Sequence, residues 1–162
     1  MLDENCSFVI DKLATNNDSG IKYGGYEKDL SGIGVVCTST LADALLDYDG
    51  AENTAKIINA CANYTNKVTG APAAEACRAA FGGVGYLPSL GELKTAYDNK
   101  NSVDSMMTKI GGTAIQTTNY WASTLYNASR YSWRLYWTGG GNNIFSSSRD
   151  SDIVSVRAFR AL

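Results

Sequence analysis

Apolar and polar residues alternate in short runs at the start of the chain, switch to helical spacing in the middle, and return to alternation near the end. Over residues 7–40, "SFVID", "GIKYGGY" and "IGVVCTST" are β-prone runs separated by Gly, Asn and Asp, which predicts short strands and turns. "IGVVC" is continuously apolar and predicts a buried strand. In "GAENTAKIINACANY", Ala51, Ala55, Ile58 and Ala62 recur at helical spacing, with Ile57 and Cys61 beside them. "APAAEACRAAF" predicts a second helix, with Pro72 suited to its first turn. In "YLPSLGELKTAYDNK", Ser89 and Glu92 form an S-x-x-E capping box ahead of Leu90, Leu93, Ala96 and Tyr97, while Gly91 weakens the first turn. "SVDSMMTKIGG" predicts a short helix with Ser102 as N-cap and Gly111 as its stop.

Beyond Gly112 the helical period ends. "NYWAST", "RYSWRLYWT" and "IVSVRAF" read as strands, "GGGNN" as a turn and "SSSRDSD" as a solvated loop. In the second run Tyr131, Trp133, Leu135 and Trp137 share one face, and Ser132, Arg134, Tyr136 and Thr138 share the other. Strands, then helices, then strands make an α+β domain. The length of 162 residues suits one domain over 1–162, with 1–30 as N-terminal strands or an extension.

Composition narrows the chemistry. A net charge of −2 gives no electrostatic case for nucleic acid, and no apolar run approaches the roughly 20 residues that span a bilayer. "MLDENCSFVI" lacks the basic and apolar regions of a signal peptide. Cys6, Cys37, Cys61 and Cys77 permit two disulfides without requiring them, and Cys61 and Cys77 fall on two predicted helices. The chain has no histidine, which removes His-based nucleophile pairs and His-ligated metal sites. "GGVG" and "GGG" lack the context of a phosphate loop, and "DYDG" lacks the later ligands of a calcium loop, so turns are the better reading. Asn63 and Asn127 sit in weak glycosylation sequons. No catalytic residue, metal site or cofactor is assigned.

The stretch from Tyr120 to Leu162 is different. It holds all three tryptophans and four tyrosines, yet no Lys, Glu or Gln. Eight Lys, five Glu and one Gln precede it, a density that would place about five in the tail. Tyr, Trp and Arg dominate binding hot spots, and Ser, Asn and Gly are adaptable polar partners, the mixture of an antibody-like paratope. Tyr gives contact area with few rotatable bonds, so ordering it on binding costs little.

"YDGAENTAKII", "GYLPSLGELKTAYDNK", "KIGG", "YWAST", "YSWRLYW" and "VRAF" follow one another in an order that resembles the C-type-lectin-fold variable proteins of diversity-generating retroelements of bacteria and their phages, in particular a subgroup like the formylglycine-generating enzymes. The similarity covers residues 32–162. Relatives often have Trp-Tyr-Leu-Pro where this chain has Gly85-Tyr86-Leu87-Pro88, and Trp-Ser-Ser-Thr where it has Trp121-Ala122-Ser123-Thr124.

The resemblance implies a C-type-lectin-like domain with two main helices and a twisted antiparallel sheet, and a variable ligand-binding region over 119–162. In that family, adenine-directed mutagenesis of asparagine codons yields Tyr, Ser, Asp, Arg, Gly, Thr, Ile or Phe and cannot yield Lys, Glu, Gln, Met or Trp. Trp121, Trp133 and Trp137 would then be fixed scaffold. The implied ligand contacts are Leu125, Tyr126, Asn127, Ser129, Arg130, Tyr131, Arg134, Tyr136, Thr138, Asn142, Asn143, Phe145, Ser146, Ser148, Asp150, Ser151 and Asp152. Arg157 and Phe159 would anchor the last strand. The implied role is non-enzymatic recognition of a protein or glycan on a target cell surface, by a phage virion or a bacterial surface adhesin. An invariant structural domain of such an appendage, or an enzyme on the same fold, are the alternatives. Oligomeric state stays open, a monomer being the simpler expectation. The motifs of calcium-dependent sugar binding are absent, and so are late reactive cysteines, the last being Cys77.

Overall fold

A computed structural model describes residues 8–11, 20–138 and 143–162. The expectations for Cys6, Asn142 and the glycine turn at 139–142 lie outside these residues. The fold is mixed α+β. Strand β1 (Phe8–Ile10) is followed by helices α1 (Leu41–Ala44) and α2 (Gly50–Cys61) and a small hairpin of β2 (Thr65–Asn66) and β3 (Val68–Thr69). Helices α3 (Pro72–Ala79), α4 (Leu90–Asp98) and α5 (Lys100–Lys109) come next, then β4 (Asn119–Leu125), β5 (Tyr131–Tyr136), β6 (Ile144–Ser148) and β7 (Phe159–Ala161). Strands β4, β5 and β6 form an antiparallel sheet in that order, and β1 pairs antiparallel with β7. None of these helices is long and apolar enough to cross a membrane.

The three-stranded sheet lies between two apolar cores. One gathers Tyr120, Ala122, Trp133, Leu135, Trp137 and Ile144 with Leu90, Leu93 and Ala96 of α4. The other gathers Trp121 and Leu125 with Ile57 and Cys61 of α2, Ala73, Ala74 and Cys77 of α3, and Tyr23, Val154 and Val156. All three indoles are buried, Trp121 at 0%, Trp137 at 1% and Trp133 at 5% exposure. Two are also pinned by hydrogen bonds: Trp121 Nε1 donates to the Ile21 carbonyl at 2.8 Å and Trp133 Nε1 to that of Thr38 at 2.9 Å.

Local signals set the helix ends. The capping box forms as the sequence predicts, Ser89 accepting from the Glu92 backbone while the Glu92 side chain accepts from Ser89 N. Pro72 opens α3. Gly111, at φ 63, closes α5 with the Gly112→Met107 and Gly111→Thr108 backbone pair of a Schellman turn. Gly91 is not merely tolerated. A Cβ there would stand 2.4 Å from the Asp47 carbonyl, so the close approach of α4 to the α1–α2 loop needs glycine.

Several expectations change. "GIKYGGY" and "IGVVCTST" form no strand beyond an isolated Cys37–Leu125 bridge. Gly24 and Gly25 take positive φ, and a Cβ on Gly24 would stand 2.4 Å from the Gly70 carbonyl, so the chain turns against its neighbour instead of extending. Helix α2 buries Asn53, Thr54, Ile57 and Cys61, while Ala51 and Ala62 are exposed. Its inner face is partly polar because Asn53 and Thr54 find partners in Asp47 and Leu87. Helix α5 starts at Lys100, after Asn99 ends α4, so Ser102 is an exposed residue within it. "IVSVRAF" is broken, with Ser155 bridging Tyr120 and only Phe159 onward joining β1. "SSSRDSD" is not a solvated loop: Ser146 to Ser148 belong to β6, and Arg149 is fully buried, donating to the Gly25 and Asn127 carbonyls. Among the described residues four helices have eight or more residues, not two. Cys37, Cys61 and Cys77 are free thiols, and burial pushes all three above the ordinary thiol pKa.

Trp133→Ala should lower stability by about 3–5 kcal/mol, the penalty of a large core cavity. A melting curve matching the parent would refute the inward placement of this indole. A second expectation concerns pH. Desolvation raises the Glu92 carboxyl from 4.5 to about 7. Its hydrogen bonds from Ser89 and Tyr86 oppose that rise, and the nearby Asp47 adds to it. Between those values the folded state binds more protons than the unfolded one. The contribution is therefore complete below the lower value and lost as pH climbs through the upper one, about 3 kcal/mol in all. Denaturation at pH 5 and pH 8 should show this decline in the parent and its loss in Glu92→Gln; an equal decline in both would sink the assignment.

Candidate functional site

The site is built on the alternation of β5. In the ladder, Arg134 lies opposite Trp121 and Phe145, Tyr136 opposite Asn119, and Ser132 opposite Ser147. These residues share one sheet face. The second core covers part of it, over Trp121, Leu125 and Ser132. Beyond that cover, Arg134, Tyr136 and Asn119 are half-buried and Phe145 is 40% exposed. The Arg134 guanidinium lies 5.2 Å from the Phe145 ring centroid, and its Nη1 donates to Asn119 Oδ1. Burial draws its pKa down from the usual arginine value. A cation stacked on an aromatic ring and fixed by an amide is a rigid contact element.

The opposite face carries an aromatic chain from core to surface. Trp133 meets Tyr126 at 5.0 Å and Tyr126 meets Tyr131 at 6.4 Å, both edge to face. Tyr131 is 40% exposed, so the face shared with Trp133, Leu135 and Trp137 ends in solvent. Ser146 and Ser148, half-buried, pair with Trp133 and Tyr131.

The β4–β5 loop joins the two faces and is held tightly. Asn127 Oδ1 accepts from the backbone of Ser129, Arg130 and Tyr131. Glu27 N donates to the Ser129 carbonyl at 2.7 Å, and Leu30 N to that of Ala128 at 2.8 Å. Arg130 pairs with Glu27 at 2.6 Å, and Lys67 pairs with Asp150 at 3.0 Å while lying 4.2 Å from the Tyr26 ring centroid. The Ser148 hydroxyl and Lys67 hold the Asp150 carboxyl below the usual aspartate range. Ser151 is half-buried and Asp152 exposed beyond this pair.

Two expected contacts are corrected. Leu125 is fully buried, since β4 is irregular between Trp121 and Leu125 and turns Leu125 into the second core. Asn143 is 5% exposed, and its side chain donates to the Tyr136 carbonyl, so it closes the β5–β6 ladder. Asn127 is spent on its own loop, and the Thr138 carbonyl accepts the Tyr97 hydroxyl. Arg157 is buried, donating to the Asp11 and Thr113 carbonyls, and Phe159 stacks on Phe8 at 4.6 Å. Both serve as anchors.

Sequence reasoning missed Asn119 and Ser147, which share the Arg134 face. The signal for Ser147 is the alternation from Phe145, which a loop reading of that stretch hides. Glu27 and Lys67, far upstream, were missed because only folding brings them to the tail.

Comparison with protein-family models, curated proteins and solved structures finds no match.

The division of side chains gives a direct check. Leu125→Ala should lose about 2–5 kcal/mol. Arg134→Ala and Tyr136→Ala should each lose less than about 1 kcal/mol. Urea unfolding of the three variants tests the ranking, and a reversed order would overturn the assignment of inside and outside.

Proposed function

We propose that this chain is a diversified ligand-binding protein, displaying interchangeable side chains on a C-type-lectin scaffold. The observation that carries this reading is the split within one short strand. Trp133 and Leu135 are sealed in the core, while Arg134 and Tyr136 between and beside them reach the surface with Phe145. A framework that keeps its indoles inside tolerates exchange of the outward residues, because surface substitutions change stability little. The outward set is Tyr, Arg, Phe, Ser and Asn, the side chains that make adaptable contact surfaces at low entropic cost.

The proposed ligand is a protein or glycan on a target cell, recognised by Tyr126, Ser129, Arg130, Tyr131, Arg134, Tyr136, Phe145, Ser146, Ser148, Asp150, Ser151 and Asp152. Leu125 and Asn143, which are buried, and Asn127, whose side chain is spent on its own loop, are left out of this set; Thr138, half-buried, belongs to it, and Asn142 lies outside the described residues. Asn119 and Ser147 join it on geometry. The carrier is a phage virion or a bacterial surface, and the protein carries out no catalysis.

Two experiments bear on this. The DNA downstream of the coding region should hold a near-identical repeat, differing at adenines, beside a reverse transcriptase. An intact locus lacking both would favour an invariant appendage domain. A display library randomised at Tyr131, Arg134, Tyr136 and Phe145 should yield binders to several unrelated purified proteins, with melting temperatures within a few degrees of the parent. A library in which most members fail to fold would defeat the idea of a tolerant surface.

A further inference from the structure

The two edges of the main sheet are treated differently. The outer edge of β4 is covered at Ser123, whose N donates to the Pro88 carbonyl, and on either side of it. Trp121 N donates to the Ser155 carbonyl and Ser155 N to that of Asn119, while Leu125 N donates to the Val36 carbonyl and Thr38 N to that of Leu125. Strand β6 forms the other edge. Tyr136 N donates to Asn143 O and Arg149 N to Arg130 O, so residues 143, 145, 147 and 149 turn their backbone groups toward β5. Ile144, Ser146 and Ser148 therefore direct theirs outward. Among the described residues, the backbone bond on that side is one from Ser151 N to the Ser148 carbonyl.

Open edges are pairing templates, and proteins usually blunt them with Lys, Pro, a bulge or a covering segment. The sequence of β6, Ile-Phe-Ser-Ser-Ser, has no charge, no proline and no glycine. The next charged residues do not guard it either: Arg149 is buried, and Asp150 is paired with Lys67.

We propose that this edge pairs antiparallel with the same edge of a second copy of the chain, about a two-fold axis through Ser146. The outward groups are self-complementary in that register. Ser146 faces its own copy, and Ile144 faces Ser148 at each end. No like charges meet. On the Arg134 face, Phe145 sits opposite the copy's Ser147, and the two Phe145 rings become diagonal neighbours, about 7–8 Å apart and within reach of each other. The ring, 40% exposed and stacked in the single chain by the Arg134 guanidinium, gains a second ring beside it. The product is a continuous six-stranded sheet that joins two Arg134–Phe145 patches. A pairing five residues long buries less than the roughly 1,200–2,000 Å² of a standard interface, so the dimer is weak and concentration-dependent. This inference does not depend on the ligand-binding reading, and its failure would leave that reading intact.

Position 146 on the axis supplies the test. Ser146→Lys and Ser146→Glu each place two like charges opposite one another, whereas an equimolar mixture places opposite charges there. Sedimentation velocity of the full chain from micromolar to millimolar concentration should show the parent dimerising. Each variant alone should associate roughly tenfold more weakly or worse, and the mixture should regain the association. Ser146 is half-exposed, so both variants should melt like the parent. Hydrogen exchange at the Ile144 and Ser146 amides should slow as parent concentration rises. A parent that is monomeric throughout, a dimer indifferent to both charges, or a mixture that fails to recover would each overturn the proposal.

Discussion

The buried carboxylate of Asp47 is the joint on which this fold turns. It accepts from Asn53 at 2.9 and 3.2 Å, from the Thr124 hydroxyl at 2.7 Å and from the Asp49 backbone at 3.1 Å. The carbonyl of the same residue accepts the Ser89 hydroxyl at 2.7 Å and Gly91 N at 3.1 Å. One residue thus fastens α2, the start of α4 and β4. Desolvation raises its pKa, and the hydrogen bonds from Thr124, Asp49 and Asn53 offset that. A buried polar group is tolerable only when so satisfied, and the arrangement that satisfies it is then close to unique. Glu92 extends the network through Ser89 and Tyr86. Because Thr124 and Ser123 lie in β4, this junction fixes where the sheet stands against the helices.

From that fixed sheet the outward surface follows. Indole hydrogen bonds to Ile21 and Thr38 hold the framework from behind, and backbone bonds to Glu27 and Leu30 hold the β4–β5 loop. None of these contacts uses the side chains of Arg134, Tyr136 or Phe145. On the proposed reading, that separation lets recognition change while the fold does not. Edge pairing of β6 would likewise draw its hydrogen bonds from the backbone, with the side chain at position 146 setting how strongly the two edges associate.

Not every polar residue of the tail is free to change. Arg149 reads in the sequence like its neighbours, yet it is sealed inside, bridging two carbonyls from distant loops. Arg130 and Asp150 are exposed or nearly so but tied to Glu27 and Lys67, residues with left-handed φ of 63 and 57. For non-glycine residues that conformation is costly, and such strain gathers where surroundings hold it in place.

What the sequence determined by itself was local. The Ser89–Glu92 capping box, Pro72 at the start of α3, the Gly111 stop and the alternation of Trp133, Arg134, Leu135 and Tyr136 need only near neighbours, and each stands as read. The tertiary structure decided whatever depends on a partner far along the chain. The polar part of the inner face of α2 exists because Asp47, Ser123 and Leu87 supply partners for Asn53 and Thr54. The loop at Gly24 follows from the approach of Gly70. Leu125 went inside and Arg149 was buried because a strand irregularity and two distant carbonyls required it. Periodicity records which side of an element a residue occupies; it does not record what the rest of the chain places against that side.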